Sequence, residues 1–138
     1  MFAEFVVSYS LLMDPISDFL NTLKMASRTG KKSFVFPSSR LILAIAEALA
    51  KKGYIESVKK AKKGHNLEIK LPTGPEALPV SAVKRVSHLS KRLYRKAHEM
   101  RPVRNGSGLA LISTPKGILS DKEARTQNVG GEVLFEIW

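Results

Sequence analysis

The sequence contains no cysteine. Structural disulfides and thiolate metal sites are therefore excluded, and the chain suits a reducing compartment. Histidine is scarce: His65, His88 and His98 show no metal-ligand spacing and read as exposed or hydrogen-bonded side chains. Lysine and arginine are absent from residues 1–23, which carry three acids. Residues 1–12 are apolar but too short to span a bilayer. They lack the basic start of a secretory signal and the arginines of a transit peptide. There is no internal repeat, no low-complexity tract and no long amphipathic basic helix of the membrane-surface type.

What is present is a chain of 138 residues, 43% apolar, enough for one domain or two small ones with a modest core. Its net charge is +11, and the placement says more than the sum. Residues 24–104 hold 20 basic and 5 acidic side chains, whereas residues 105–138 hold 3 and 4. The middle of the chain thus carries the whole excess. Such a field attracts polyanions, nucleic acid above all, with a merely soluble basic surface as the plain alternative.

A second methionine, Met13, precedes a helix start at Asp14-Pro15, an N-cap followed by proline at the first helical position. Residues 1–12 are accordingly expected to be a dispensable extension. Ile16, Phe19, Leu20 and Leu23 recur at helical spacing and predict a buried face. Lys24, Arg28, Lys31 and Lys32 lie at and beyond the end of that helix. Ser33 to Phe36 reads as a strand, and Pro37-Ser38 as its stop and the cap of a second helix. That helix carries Leu41, Ile42, Ile45 and Leu49 and closes on Lys51-Lys52-Gly53, cations and a glycine suited to its C-terminus. Tyr54 to Val58 and Leu67 to Leu71 form a hairpin, joined by a basic segment at residues 59–65 that suits either a solvated tip or a phosphate contact. Prolines 72, 75 and 79 mark a linker. Beyond it, Val80 to Val86 and Arg92 to Tyr94 read as strands, residues 97–100 as one helical turn and residues 101–107 as a loop. Tyr94 stands among Lys91, Arg92, Arg95 and Lys96, where its ring suits base stacking or core packing equally well.

The last stretch is the most structured. Leu109 to Ile112 is a buried strand, Lys116-Gly117 a turn, and Ser120 with Glu123 a capping box for a short helix ending near Asn128. Gly130-Gly131 permits a sharp turn and close backbone approach. Glu132 to Ile137 alternates, with Val133, Phe135 and Ile137 on one face. The fold class is α+β in two small halves: an N-terminal half with two helices and a three-stranded sheet, and a C-terminal half mostly β with short helices. The expected boundaries are an extension at 1–12, an N-terminal domain at 13–72, a linker at 73–79 and a C-terminal domain at 80–138. Ser113 and Lys116 also match the spacing of the Ser-x-x-Lys nucleophile motif. That chemistry needs the serine to open a helix, and Pro115 and Gly117 argue for a turn, so no catalysis is expected.

Several motifs then occur in a telling order: Asp14-Pro15-Ile16, Pro37-Ser-Ser39, Gly53-Tyr-Ile-Glu56, Lys84-Arg-Val86, Ile112-Ser-Thr-Pro-Lys-Gly117, Ser120-Asp-Lys-Glu-Ala-Arg125 and Val129-Gly-Gly-Glu132. In this set residues 14–138 resemble the bacterial-type small-subunit ribosomal protein that is eighth in the standard series. The resemblance implies a structural protein that binds the central domain of small-subunit ribosomal RNA and helps assemble the subunit, in the bacterial cytoplasm or in an organelle. It implies principal RNA contacts through Ser113, Thr114, Gly130, Gly131 and Glu132. Lys116, Lys91, Arg92, Tyr94, Lys24, Lys31 and Lys32 are the expected auxiliary contacts. Implied partners are neighbouring small-subunit proteins, notably the fifth, and in some bacteria the messenger RNA of its own operon; no metal, cofactor or membrane is implied. Two departures stand out. Pro115 replaces a serine common in the family, removing a hydroxyl and a backbone N–H. Thr22-Leu-Lys24-Met25 stands where relatives commonly carry Arg-x-Arg-Asn.

Overall fold

The computed structural model describes residues 14–61, 65–74, 80–88 and 90–138. The expected dispensability of residues 1–12, the tip of the basic hairpin and the prolines at 75 and 79 lie outside the described residues. Helix α1 spans Pro15–Thr29. The Asp14 carboxylate accepts from the Ser17 amide at its start, and Gly30 ends it in the left-handed region at φ 73°. Its face of Ile16, Phe19, Leu20, Leu23 and Ala26 is buried. Strand β1, Ser33–Pro37, leads to helix α2, Arg40–Lys51. The cap of α2 is Ser39, whose hydroxyl accepts from the Ile42 amide at 3.1 Å. The expected Pro37-Ser38 pair falls one residue short of the cap: Ser38 still extends the strand pairing, its amide donating to the His65 carbonyl, and the helix starts at Arg40. Leu41 faces solvent, and Ala46 joins Ile42, Ile45 and Leu49 in the buried stripe.

The hairpin forms with shifted bounds, β2 at Ser57–Lys60 and β3 at Asn66–Lys70, because Tyr54 and Ile55 are buried in the turn after α2. Strand β1 pairs with the other edge of β3, giving the antiparallel order β1-β3-β2. Phe19 meets Phe36 edge-on, ring centroids 5.3 Å apart, and Phe34 tilted at 6.0 Å. Each such pair adds roughly 0.5–1.5 kcal/mol beyond the area it buries.

The C-terminal half is built on β8, Gly131–Ile137. One edge of β8 pairs with β6, Leu109–Thr114, which pairs in turn with β7, Gly117–Ser120. The other edge is shared by β4, Val83–Arg85, and β5, Tyr94–Arg95. Both of these strands are shorter than the sequence suggests. Helix α3, Asp121–Gln127, starts at the Ser120–Glu123 capping box and ends on Asn128 at φ 55°. The alternation read along β8 is broken. Leu111 pairs with Phe135 but Ile112 pairs with Val133, so Leu134 is an extra, bulged residue. The bulge sends Val133 to the opposite face from Phe135 and Ile137. Val133 packs with Ala110, Ile112, Ala124, Met100 and Val103. Leu134, Phe135 and Ile137 join Leu109 and Leu111 against the buried faces of α1 and α2, so one apolar cluster runs through both halves.

Polar ties brace the same junction. Arg85 pairs with Asp14 at 3.3 Å, Lys51 and Lys52 both reach Glu123 at 3.5 Å, and the Val80 amide donates to the Ser27 hydroxyl at 3.1 Å. Burial alone would raise the pKa of Asp14, but hydrogen bonds from Ser17 and the charge of Arg85 outweigh it and hold the carboxyl below its ordinary value. Glu123 is lowered in the same way, burial being offset by hydrogen bonds from Ser120 and the charges of Lys52 and Lys51. A depressed carboxylate stabilises the fold above its unfolded pKa, and that contribution is lost as pH falls through the folded one. Melting temperature is therefore expected to drop as pH is lowered through and below the ordinary carboxylate range. Asp14→Asn and Glu123→Gln should each flatten that acid limb while lowering stability at neutral pH. An unchanged pH slope in both variants would show that these pairs do not couple folding to pH.

Candidate RNA interface

One end of the C-terminal sheet collects most of the expected contact residues: the end of β6, the start of β7, the start of β8 and all of β5. Ser113 pairs with Glu132, and Glu132 pairs on its other side with Tyr94. Directly opposed residues of antiparallel strands present their side chains on the same face. Ser113, Glu132 and Tyr94 therefore stand in one row across three strands, with Ile118 continuing it onto β7. Tyr94 is 66% exposed, so of the two roles open to its ring, core packing is excluded.

Ser113 and Thr114 part company here. As strand neighbours they face opposite sides of the sheet. The Ser113 hydroxyl has no hydrogen-bond partner among the described residues, and its full capacity to donate and accept is open to a ligand. The Thr114 hydroxyl is engaged in the β6–β7 turn, donating to the Gly117 carbonyl at 2.7 Å and accepting from the Lys116 amide at 3.1 Å. Lys116 is exposed at the tip of that turn. Ser113 lies within a strand and opens no helix, so the Ser-x-x-Lys nucleophile geometry is not formed.

Glu132 is held from two sides. The Ser87 hydroxyl donates to its Oε2 at 2.5 Å, and Arg92 Nη1 lies 3.3 and 3.2 Å from its two oxygens. Lys91 stands beside Arg92 in the β4–β5 loop, exposed and joined to His88 by a pair of backbone hydrogen bonds. Neither Gly130 nor Gly131 has a positive φ, which corrects the expectation of a sharp glycine turn. Their bare backbones are required by crowding. A β-carbon at Gly131 would lie 2.1 Å from the Ser113 carbonyl oxygen, and one at Gly130 would lie 2.6 Å from that of Arg95. Beside them opens a hollow of about 530 Å³ lined by Tyr94, Arg95, Lys96, His98 and Asn128. Sequence reasoning knew Arg95 and Lys96 only as basic neighbours of Tyr94 and placed neither His98 nor Asn128 near the site, since that neighbourhood depends on β5 docking against β8.

Lys24, Lys31 and Lys32 are not brought to this end. The last turns of α1 meet Val80 through Ser27, and the amides of Ser81 and Ala82 bond to the Trp138 carbonyl. Those lysines thus lie toward the far end of β8, and six residues of extended strand separate Trp138 from Glu132 by roughly 20 Å.

Among the described residues no helix is long and apolar enough to cross a membrane, and no cluster of acids and histidines suits a metal ion. Comparison with known proteins gives a consistent picture. The family described as ribosomal protein S8 matches residues 14–138. A protein of Zymomonas mobilis subsp. mobilis named small ribosomal subunit protein uS8 is 42% identical over 131 residues, covering 92% of this chain and 98% of the relative. Proteins of the same name are 42% identical in Corynebacterium jeikeium, over 92% of this chain and 98% of the relative, and 41% identical in Neisseria meningitidis serogroup C, over 88% and 94%. With the α+β fold and its two antiparallel sheets also in place, this chain belongs to the ribosomal protein S8 family.

Proposed function

We propose that this protein is a structural constituent of the small ribosomal subunit, binding the central domain of the subunit's RNA directly and helping the subunit assemble. The observation that carries this reading is the cross-strand row of Ser113, Glu132 and Tyr94, flanked by Arg92, Lys91 and Lys116 at an exposed sheet end. A-form RNA hides its major groove, so a protein meets 2′-hydroxyls, phosphates and irregular bases on a shallow surface. The Ser113 hydroxyl suits a 2′-hydroxyl or a base edge, the Tyr94 ring suits an unstacked base, and the cations suit phosphates. Gly130 and Gly131 keep the strand start free of side chains, so RNA can approach the backbone there. Thr114 shapes the turn and has one lone pair to offer. Lys24, Lys31 and Lys32 fit a separate phosphate track on the N-terminal half. Neighbouring small-subunit proteins, notably the fifth, and the messenger RNA of its own operon are further proposed partners. The site of action is the ribosome, and no catalytic step is assigned.

The test is nuclease protection of small-subunit ribosomal RNA by the wild-type protein and two variants. Wild type should protect one helix of the central domain. Ser113→Ala should weaken that protection about tenfold, corresponding to one hydrogen bond of roughly 0.5–1.5 kcal/mol, with little change in melting temperature. Thr114→Val should lower melting temperature, since two turn hydrogen bonds go with its hydroxyl. No protected helix, or equal protection of unrelated RNAs, would overturn the function.

A further inference from the structure

Ser87 is one of the few polar side chains buried among the described residues, at 1% exposure, and nothing above gives it a role in recognition. Its hydroxyl sits at the mouth of the β4–β5 loop. It accepts from the Leu93 amide at 3.0 Å and donates to Glu132 Oε2 at 2.5 Å. The same loop is closed further out by the His88–Lys91 backbone pair, and the Leu93 carbonyl accepts from the Val133 amide at 2.9 Å. One oxygen atom therefore fastens both the returning end of the loop and the carboxylate at the start of β8. That carboxylate in turn holds Arg92, whose side chain is 53% exposed against 14% for Glu132. A guanidinium carries five N–H donors in a fixed fork. Only Nη1 bonds the carboxylate, so the Nη2 and Nε donors are not used by Glu132.

We propose that Ser87 is a positioning residue for RNA recognition: through Glu132 it stations Arg92 to receive a backbone phosphate of the RNA. This rests on the RNA-binding reading and deepens it. Two physical reasons support it. An arginine on an exposed loop loses rotamer freedom when it binds, and prior fixing removes that cost from the binding step. An unpaired carboxylate at this sheet end would also repel phosphate, whereas a carboxylate paired to Arg92 and hydrogen-bonded to Ser87 presents the guanidinium as the outermost charge.

The experiment uses Ser87→Ala, Arg92→Ala and the double variant of the full chain. Amide exchange is followed in the free protein, and affinity for the protected ribosomal RNA helix is measured across a salt series. In Ser87→Ala, exchange of the Leu93 amide should quicken at least tenfold while core amides such as Leu111 and Phe135 keep their protection. RNA binding should weaken about tenfold, and the log–log salt slope should shrink by about one, the loss of one phosphate contact. In the Arg92→Ala background the same change should weaken binding by less than about threefold, because its effect passes through Arg92. If Ser87→Ala destabilises the chain too far to assay, Glu132→Gln takes its place. It keeps an acceptor for Ser87 but removes the ion pair, and should reproduce the shallower slope. Undiminished binding by Ser87→Ala, an equal loss in both backgrounds, or core amides loosened together with Leu93 would each overturn the proposal. Absence of RNA binding by the wild-type protein would overturn the RNA reading itself. That outcome is distinct from failure of the Ser87 arrangement, which leaves wild-type binding intact.

Discussion

Replacing Gly131 by alanine is expected to destabilise the fold by roughly 3 kcal/mol or more, the upper end of the range for an overpacked side chain. The added methyl would lie 2.1 Å from the Ser113 carbonyl oxygen, an atom fixed in the β6–β8 ladder, with the Ile112 side chain 3.2 Å away. Neither neighbour is the free end of a flexible side chain, so the strands must part where the site is built. For a chain of this size the loss corresponds to a fall in melting temperature of roughly 10 °C. Gly117→Ala is the control. It sits at φ 105° but has nothing within 4 Å of the added carbon, so it incurs backbone strain alone. That strain costs about 1–3 kcal/mol, falling short of the strand separation required at Gly131. Thermal unfolding of both variants decides the matter. If Gly131→Ala melts within a degree or two of wild type, the ladder yields more easily than its geometry says, and the glycine serves the approach of RNA alone.

Much of this fold is legible in the sequence because it is decided locally. Asp14-Pro15 announces α1, Ser120 with Glu123 announces α3, and Lys52-Gly53 closes α2, each through a hydrogen bond or a dihedral within a few residues. What the sequence conceals is decided by partners far along the chain. Strand β7 is only Gly117–Ser120 and begins at a turn signal; it is a strand because β6 offers it an edge. The alternation from Glu132 to Ile137 is regular on paper, yet Leu134 is bulged. The Leu134 carbonyl accepts from the amides of Val86 and Ser87 and from Arg85 Nη1 at 2.6 Å, on the edge that β4 and β5 share. The site divides along the same line. Ser113, Gly131 and Glu132 stand out through their local motifs. That Thr114 is engaged in its turn, that Glu132 is held by Ser87 and Arg92, and that Lys24, Lys31 and Lys32 lie at another end all depend on docking. A single serine such as Ser87, between Val86 and His88, leaves no periodic or compositional trace.

Raising salt from about 50 mM to about 200 mM is expected to weaken binding of the ribosomal RNA helix several hundredfold, about 500-fold. The motive is the charge carried by residues 24–104, 20 basic against 5 acidic side chains, of which Lys91, Arg92, Arg95 and Lys96 stand at the proposed surface. Lys91, Arg92, Arg95, Lys96 and Lys116 are all exposed in or around the sheet end that carries Ser113 and Tyr94. Each phosphate neutralised by such a cation releases counterions, and about five contacts give a log–log slope near −4 to −5. The cations and the hydroxyl should separate cleanly in this measurement. Lys91→Ala combined with Arg92→Ala should make the slope shallower by about two and weaken binding to unrelated RNAs as much as to the ribosomal helix, because phosphates are common to all of them. Ser113→Ala should leave the slope where it was and weaken the ribosomal helix alone, because a hydroxyl carries no charge and reads a particular group. A wild-type slope near zero would mean that the basic middle of the chain is only a solvated surface. Affinity would then have to come from the uncharged row of contacts, and the sheet end would lose the flanking phosphate contacts assigned to it.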